Sequence, residues 1–246
     1  MIIGYNTTMK EDSRELGLPF QEDCPCPYFD DERPASIEYL ISADARAEDF
    51  QRFLAAGYRR LGSVFYRTVC TGCSSCIPLR VDVAGFSPNK GQRRTLSRNR
   101  DIRVECCAPS LVTAGKVELY RRYLASKHGE KERAGYDYEA HLSHIHYGYP
   151  YALEMDYFLG SRLVGVGIAD ESSEGLSSNY FYYDTEFLSR RLGIFSILRE
   201  ISLARSLGKK YLYLGFFIAE TPKMSYKKSF RPNEGFENGR WKDLLP

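Results

Sequence analysis

Three cysteines, Cys70, Cys73 and Cys76, recur at a three-residue step in "VCTGCSSCIPLR", and two more, Cys24 and Cys26, stand in "DCPCPY". A C-x-x-C turn aims two thiolates at one ion, and a second pair from upstream completes the ligands of a zinc site or an iron–sulfur cluster. The expected ligands are Cys24, Cys26, Cys73 and Cys76, with Cys70 as a substitute. The competing reading is burial as small apolar groups, since free cysteine is among the most buried residue types. One of Cys106 and Cys107 is expected to be of that kind.

Two stretches are cationic. From Phe86 to Arg103, six Lys or Arg residues stand against one acid, in a chain whose net charge is only +2. Such local density marks a phosphate-binding surface, with an ordinary solvated face as the alternative. Lys90, Arg93, Arg94 and Arg98 are its expected contacts, joined by Arg80 from just upstream, and Gln92 and Asn99 add neutral donors suited to a nucleic-acid backbone. Downstream, "TPKMSYKKSFRP" interleaves Lys223, Lys227, Lys228 and Arg231 with Tyr226 and Phe230 on an expected loop. That mixture can stack on a base and hold its phosphate. Tyr183 and Asp184 end "NYFYYD", where Asp184 either orients an amine or caps a turn. No Ser-His-Asp or Walker-type motif is present, and His141, His144 and His146 read as non-catalytic for want of a partner motif.

These groups need a scaffold, and the 246 residues suffice to bury a core. Composition, 27% charged and 43% hydrophobic, is that of a globular chain. With no apolar run long enough for a membrane span and no signal-like start, the expectation is a cytoplasmic protein without a membrane partner. In that reducing compartment, clustered thiols favour metal or reactivity over disulfides.

Phe50, Phe53, Leu54 and Tyr58 fall at helical spacing, Gly57 sits where that helix should end, and "LRVDVAGF" alternates as a strand. A helix is expected from Ser110 through "VELYRRYLASKH". A hairpin turning at Gly160 and Ser161 follows, then a strand at "SSNYFYY". A helix with Ile194, Ile197, Leu198, Ile201, Ala204 and Leu207 on one face should stop at Gly208. "YLYLGFFIA", almost wholly apolar, should be a central strand covered on both faces. The order predicts an α+β fold with a mainly antiparallel sheet.

The stretches "CPY", "GYRRLGSVFYR", "CTGCSSCIPLRV", "FSPNKGQRRTLSRN", "LGIFSILREI" and "YLYLGFFIAETPKMSYKKSFRPNE" together resemble the aminoacyl-tRNA-protein transferases, in that family's order and across both halves of the chain. The resemblance implies a C-terminal acetyltransferase-like (GNAT) domain, taken as 106–246, preceded by a smaller N-terminal α+β domain, taken as 1–105. It implies transfer of leucine or arginine from a charged tRNA to the N-terminal amine of proteins beginning with Asp or Glu, which marks them for degradation (the N-degron pathway). The bacterial-like start and the length favour leucine. The family's Cys before "PKM" is absent, "AET" standing at 219–221, so thiol catalysis there is excluded.

An aminoacyl ester is already activated, so an oriented amine can displace the ribose oxygen without a covalent enzyme intermediate or a cofactor. The expected catalytic groups are Asp184, Tyr183, Lys223, Tyr226 and Lys227. The two cationic stretches would serve tRNA and the acceptor's acidic side chain. Rival readings are a small-molecule acetyltransferase and a non-catalytic metal-containing tRNA-binding module.

Overall fold

The computed structural model describes residues 19–42, 45–108, 112–128, 136–146 and 149–244, with the side chains of 127–128 and 145–146 excepted. The expected N-cap Ser110 lies outside them. In chain order the elements are β1 (Phe20–Pro25), β2 (Pro34–Ile41), α1 (Ala47–Ala55), β3 (Arg59–Leu61), β4 (Val64–Thr68), β5 (Ile77–Asp82), α2 (Lys90–Arg98), β6 (Ile102–Cys107), α3 (Ala114–His128) and α4 (Tyr138–His146). Then follow β7 (Ala152–Leu159), β8 (Arg162–Glu171), β9 (Gly175–Tyr183), α5 (Leu192–Ser206), β10 (Tyr211–Phe217), α6 (Pro222–Ser225), β11 (Asn233–Glu237) and β12 (Arg240–Asp243).

They build a small sheet, β1-β2-β4-β3, and a large one, β12-β11-β5-β10-β9-β8-β7-β6. This is the expected α+β class. β5 and β6 both begin before residue 105, so the large sheet draws strands from either side of the expected division. Its pairs are antiparallel except β9–β10, which α5 connects as a parallel crossover.

One face of the large sheet carries α1, the small sheet, α3 and α4. Phe50, Phe53, Leu54, Phe65, Tyr120 and Leu142 pack there against Val166, Ile168, Tyr182 and Tyr213. The other face carries α2 and α5, where Ile197, Leu198 and Ile201 meet Leu79, Val81, Leu212 and Leu214. The apolar stripe read from α5 is this contact, except that Leu207 is exposed. β10 is central, as its composition predicts.

Two expectations change, and the basic stretch 86–103 adds a helix: Asn89 accepts from the Gln92 amide at 3.0 Å and the Gln92 side chain accepts from the Asn89 amide at 2.9 Å, a reciprocal cap that starts α2. "PKMSYKKS" forms α6 and a 3-10 turn rather than a loop. Cys106 and Cys107 are both exposed, because β6 is the outer strand of the sheet.

Candidate active site

β9 and β10 pair over only three positions, Tyr211 with Gly175, Leu212 with Leu176 and Tyr213 with Ser177, and then part. Each carries a bulge just beyond, at Asn179 against β8 and at Leu214 against β5, and bulges bend strands. Gly215 follows at φ +74, a backbone region that disfavours a side chain. The gap is a cleft of about 690 Å³.

The cleft pierces the sheet. Side chains alternate across a strand, so Tyr180 packs on Tyr120 and Tyr123 of α3 while Phe181 packs on Tyr157, which meets Phe195 of α5. Tyr123 and Tyr180 line the cleft on one side, and Gly193, Ser196 and Ile197 on the other.

Arg59 reaches into the parting from β3. Its Nη2 donates to the carbonyls of Ser178 at 2.9 Å and Asn179 at 3.4 Å. A Cβ built on Gly215 would lie 2.6 Å from the Arg59 Cζ, so only glycine leaves room for the guanidinium.

Lys227 donates to the Phe216 carbonyl at 2.8 Å and lines the same cleft. Burial, reinforced by the charge of Arg59, pushes it down to about 7. Beneath the floor, fully buried Glu200 of α5 is pushed up to about 8 by desolvation, against the pull of Ser178, Arg59 and Ser196. Tyr226 is pushed up to about 12, also chiefly by burial.

Of the five expected catalytic residues, Tyr183, Lys223, Tyr226 and Lys227 line the cleft. Asp184 does not. It accepts from the Glu186 amide at 3.1 Å, capping the 3-10 turn Thr185–Arg190, and pairs with Arg162 at 2.5 Å and Arg122 at 3.4 Å.

The expected tRNA-binding residues divide. Lys90, Arg93 and Arg94 are exposed on α2, which packs on α5 through Leu96. Arg98 donates to the Ser189 carbonyl, tying α2 to the turn before α5. Lys228 and Arg231 lie near each other beyond α6, Arg231 Nε donating to the Lys228 carbonyl at 3.4 Å. Arg80, Gln92 and Asn99 are engaged inside the protein. Arg80 pairs with Glu234 at 2.6 Å and lies over the rings of Tyr211 and Trp241. Gln92 donates to the Ser229 carbonyl, and Asn99 to those of Thr95 and Arg190. His141, His144 and His146 lie on α4, a helix, with His141 Nδ1 2.8 Å from the Tyr120 hydroxyl.

Sequence reasoning missed Arg59, Tyr123, Arg191 and Glu200. Glu200 had a signal, since it falls on the apolar face between Ile197 and Ala204. Arg59 had none beyond its neighbour Arg60.

The thiols sit apart from the cleft. Cys26, Cys70, Cys73 and Cys76 line one cavity of about 220 Å³ with Tyr28, Tyr66 and Phe216. Cys76 is pushed up to about 12 by burial and by the other three thiols. Cys24, paired with Ala35 in the small sheet, does not line it. Among the described residues no three Cys, His, Asp or Glu side chains stand in metal-holding array.

Residues 24–94 match the N-terminal family model, and residues 115–237 the C-terminal family model, of arginine-tRNA-protein transferase. The chain belongs to the arginine-tRNA-protein transferase family. It is thus a transferase. An aspartate/glutamate leucyltransferase of Pseudoalteromonas atlantica is 34% identical over 88% of this chain and 93% of its own. Another, of Saccharophagus degradans, is 34% identical over 94% of this chain and 98% of its own. Among solved structures, the C-terminal domain of an Agrobacterium fabrum protein assigned as a lysylphosphatidylglycerol synthetase aligns with TM-score 0.47 and 14% identity, over 68% of this chain and 51% of that one. No helix among the described residues is long and apolar enough to cross a membrane.

Proposed function

We propose that this family member transfers leucine from leucyl-tRNA to the α-amine of proteins beginning with Asp or Glu, marking them for degradation. One observation carries the choice of donor: among the described residues no Asp or Glu lines the cleft, whereas Ile194, Ile197, Leu214 and Met224 do. An arginine side chain needs a facing carboxylate, and leucine needs apolar walls. Glu200 lies below the lining and, at about 8, is largely uncharged at neutral pH. The parted β9 and β10 beside the α5 N-terminus support the GNAT-like reading of the C-terminal half.

The tRNA end comes to the α5 side, where the first-turn amides at Leu192 and Gly193 and the exposed cations of Arg191 and α2 suit its phosphates. Lys227, neutral in about half the molecules near pH 7, takes a proton from the acceptor ammonium. The freed amine attacks the ester carbonyl, Lys227 returns the proton to the departing ribose oxygen as the C–O bond to ribose breaks, and the again neutral Lys227 takes the second proton from the new amide nitrogen and releases it to solvent. Tyr226 and Lys223 are placed to stabilise the charge on the carbonyl oxygen.

Cys26, Cys70, Cys73 and Cys76 are the thiols a structural zinc ion or iron–sulfur cluster would take: their shared cavity supports that reading, although they would have to draw closer than the array they form here. The transfer chemistry itself has no step that needs it.

The test is transfer of labelled leucine or, separately, arginine from tRNA to peptides beginning with Asp, Glu, Lys or Ala. Label passing from leucyl-tRNA to the acidic peptides alone is the expected result. Transfer from arginyl-tRNA instead would overturn the donor, and tRNA binding without transfer would leave the binding-module reading.

A further inference from the structure

We propose that Arg59 reads the acidic side chain of the acceptor, which enters the cleft from the α3 face while the tRNA-borne ester enters from the α5 face. This rests on the leucyl-transfer reading above. Arg59 and Arg60 are neighbours with opposite fates. The buried Arg60 is neutralised by Asp170, with Nη2 to Oδ1 at 2.6 Å and Nε to Oδ2 at 2.9 Å. Arg59 forms no ion pair with a carboxylate among the described residues, and Glu200, the acid near enough to feel its charge, is pushed up to about 8 by burial and so is largely uncharged at neutral pH. Arg59 meets only two main-chain carbonyls, and its buried Nη1 has no hydrogen-bond partner at all.

A guanidinium withdrawn from water without an anion is costly, and an arriving carboxylate relieves that cost. Its surroundings keep the position open: Gly215 leaves room for the guanidinium, and Tyr123 and Tyr180 line the same cleft. Neither Lys227 nor Lys223 is an equal candidate. Lys227 already donates to Phe216, and Lys223 is exposed. Asp and Glu differ by one methylene, and a cleft of about 690 Å³ has room for either length.

The experiment compares two peptides identical except for Asp or Asn as first residue, with leucyl-tRNA as donor. kcat and KM are read separately for wild type, Arg59→Gln and Arg59→Lys. For the Asp peptide, Arg59→Gln is expected to cut kcat/KM by about 10- to 100-fold, mainly through KM. The loss on the Asn peptide should be far smaller, so the preference collapses. Arg59→Lys should keep part of it. An unchanged Asp-to-Asn ratio, or equal losses on both peptides, overturns the assignment in favour of a scaffold role.

Melting temperature supplies a second readout that needs no transfer. The Asp peptide should raise the wild-type value more than the Asn peptide does, and that difference should vanish in Arg59→Gln. Should Arg59→Gln fail to fold, the same ratio and the same difference are read in Arg59→Lys, where both must shrink. If wild type transfers leucine to no peptide, the functional reading falls, and the thermal difference alone decides the role of Arg59.

Discussion

The ammonium of Lys227 donates to the main-chain carbonyl of Phe216 at 2.8 Å, from the 3-10 turn that follows α6 back to β10. Held there out of water, Lys227 sits at about 7 against an ordinary 10.5. As the proton acceptor it gives kcat/KM for transfer a limb rising through about pH 7. Lys227→Met should remove that limb and lower the rate by about 100- to 10,000-fold. A pH–rate series on both proteins checks this.

Glu200 has the opposite sign of concern. Its folded-state value of about 8 exceeds the ordinary 4.5, so the folded protein binds more protons than the unfolded chain between those limits. Stability is therefore full below about pH 4.5 with respect to this group and is lost as pH rises through 8. Glu200→Gln should flatten that dependence and gain on the order of a few kcal/mol at the alkaline end. Urea unfolding at pH 5, 7 and 8.5 measures it.

Asp184 caps the turn that delivers the chain to α5, and its Arg162 and Arg122 partners are themselves part-exposed. Asp184→Ala should cost about 1–2 kcal/mol of stability. Transfer by the folded variant should fall by less than about tenfold, well below the loss expected on removing a catalytic group. Thermal unfolding alongside kcat separates the two effects.

Arg60 and Asp170 join the small sheet to β8 with side chains wholly buried. Asn179 adds a donation to Asp170 at 2.7 Å, and Arg60 donates to the Gly62 carbonyl at 2.6 Å. Removing one partner strands the other charge, so Asp170→Ala should cost about 3–5 kcal/mol. Denaturant midpoints for Asp170→Ala and the double variant Arg60→Met/Asp170→Ala test it, and the double variant should recover part of the loss.

The thiol cavity makes a distinct prediction. Freshly purified protein should contain zinc or iron, and Cys76→Ser should lower that content more than Cys24→Ser, since Cys24 lies outside the cavity. Elemental analysis of the three proteins decides.

What could be read in the residues followed from periodicity. The stripe of α5 and the apolar run of β10 announce a helix on a central strand, because burial on one or both faces dictates those patterns. α2 was hidden by its own charge, for its four basic residues mask the reciprocal cap of Asn89 and Gln92 that starts it. β1 and its sheet escaped notice because "FQEDCP" is almost wholly exposed and alternates nothing. Of the site, the lysine- and tyrosine-rich "KMSYKK" was legible as chemistry. Arg59 was not, because its role depends on two strands far along the chain parting around it.

β5 lies between β10 and β11, so a segment completed at residue 82 has both its partners in residues 211–237. On a ribosome, this strand waits with two open edges while roughly 130 further residues are added, many seconds at ordinary elongation rates. Its sequence suits the wait: Pro78 withholds a donor, and Arg80 and Asp82 interrupt the apolar residues that would otherwise recruit a foreign strand. The last hairpin to emerge is thus the latch that ends a long exposure, and slowed synthesis between Asp82 and Tyr211 would fall on the chain at its most vulnerable.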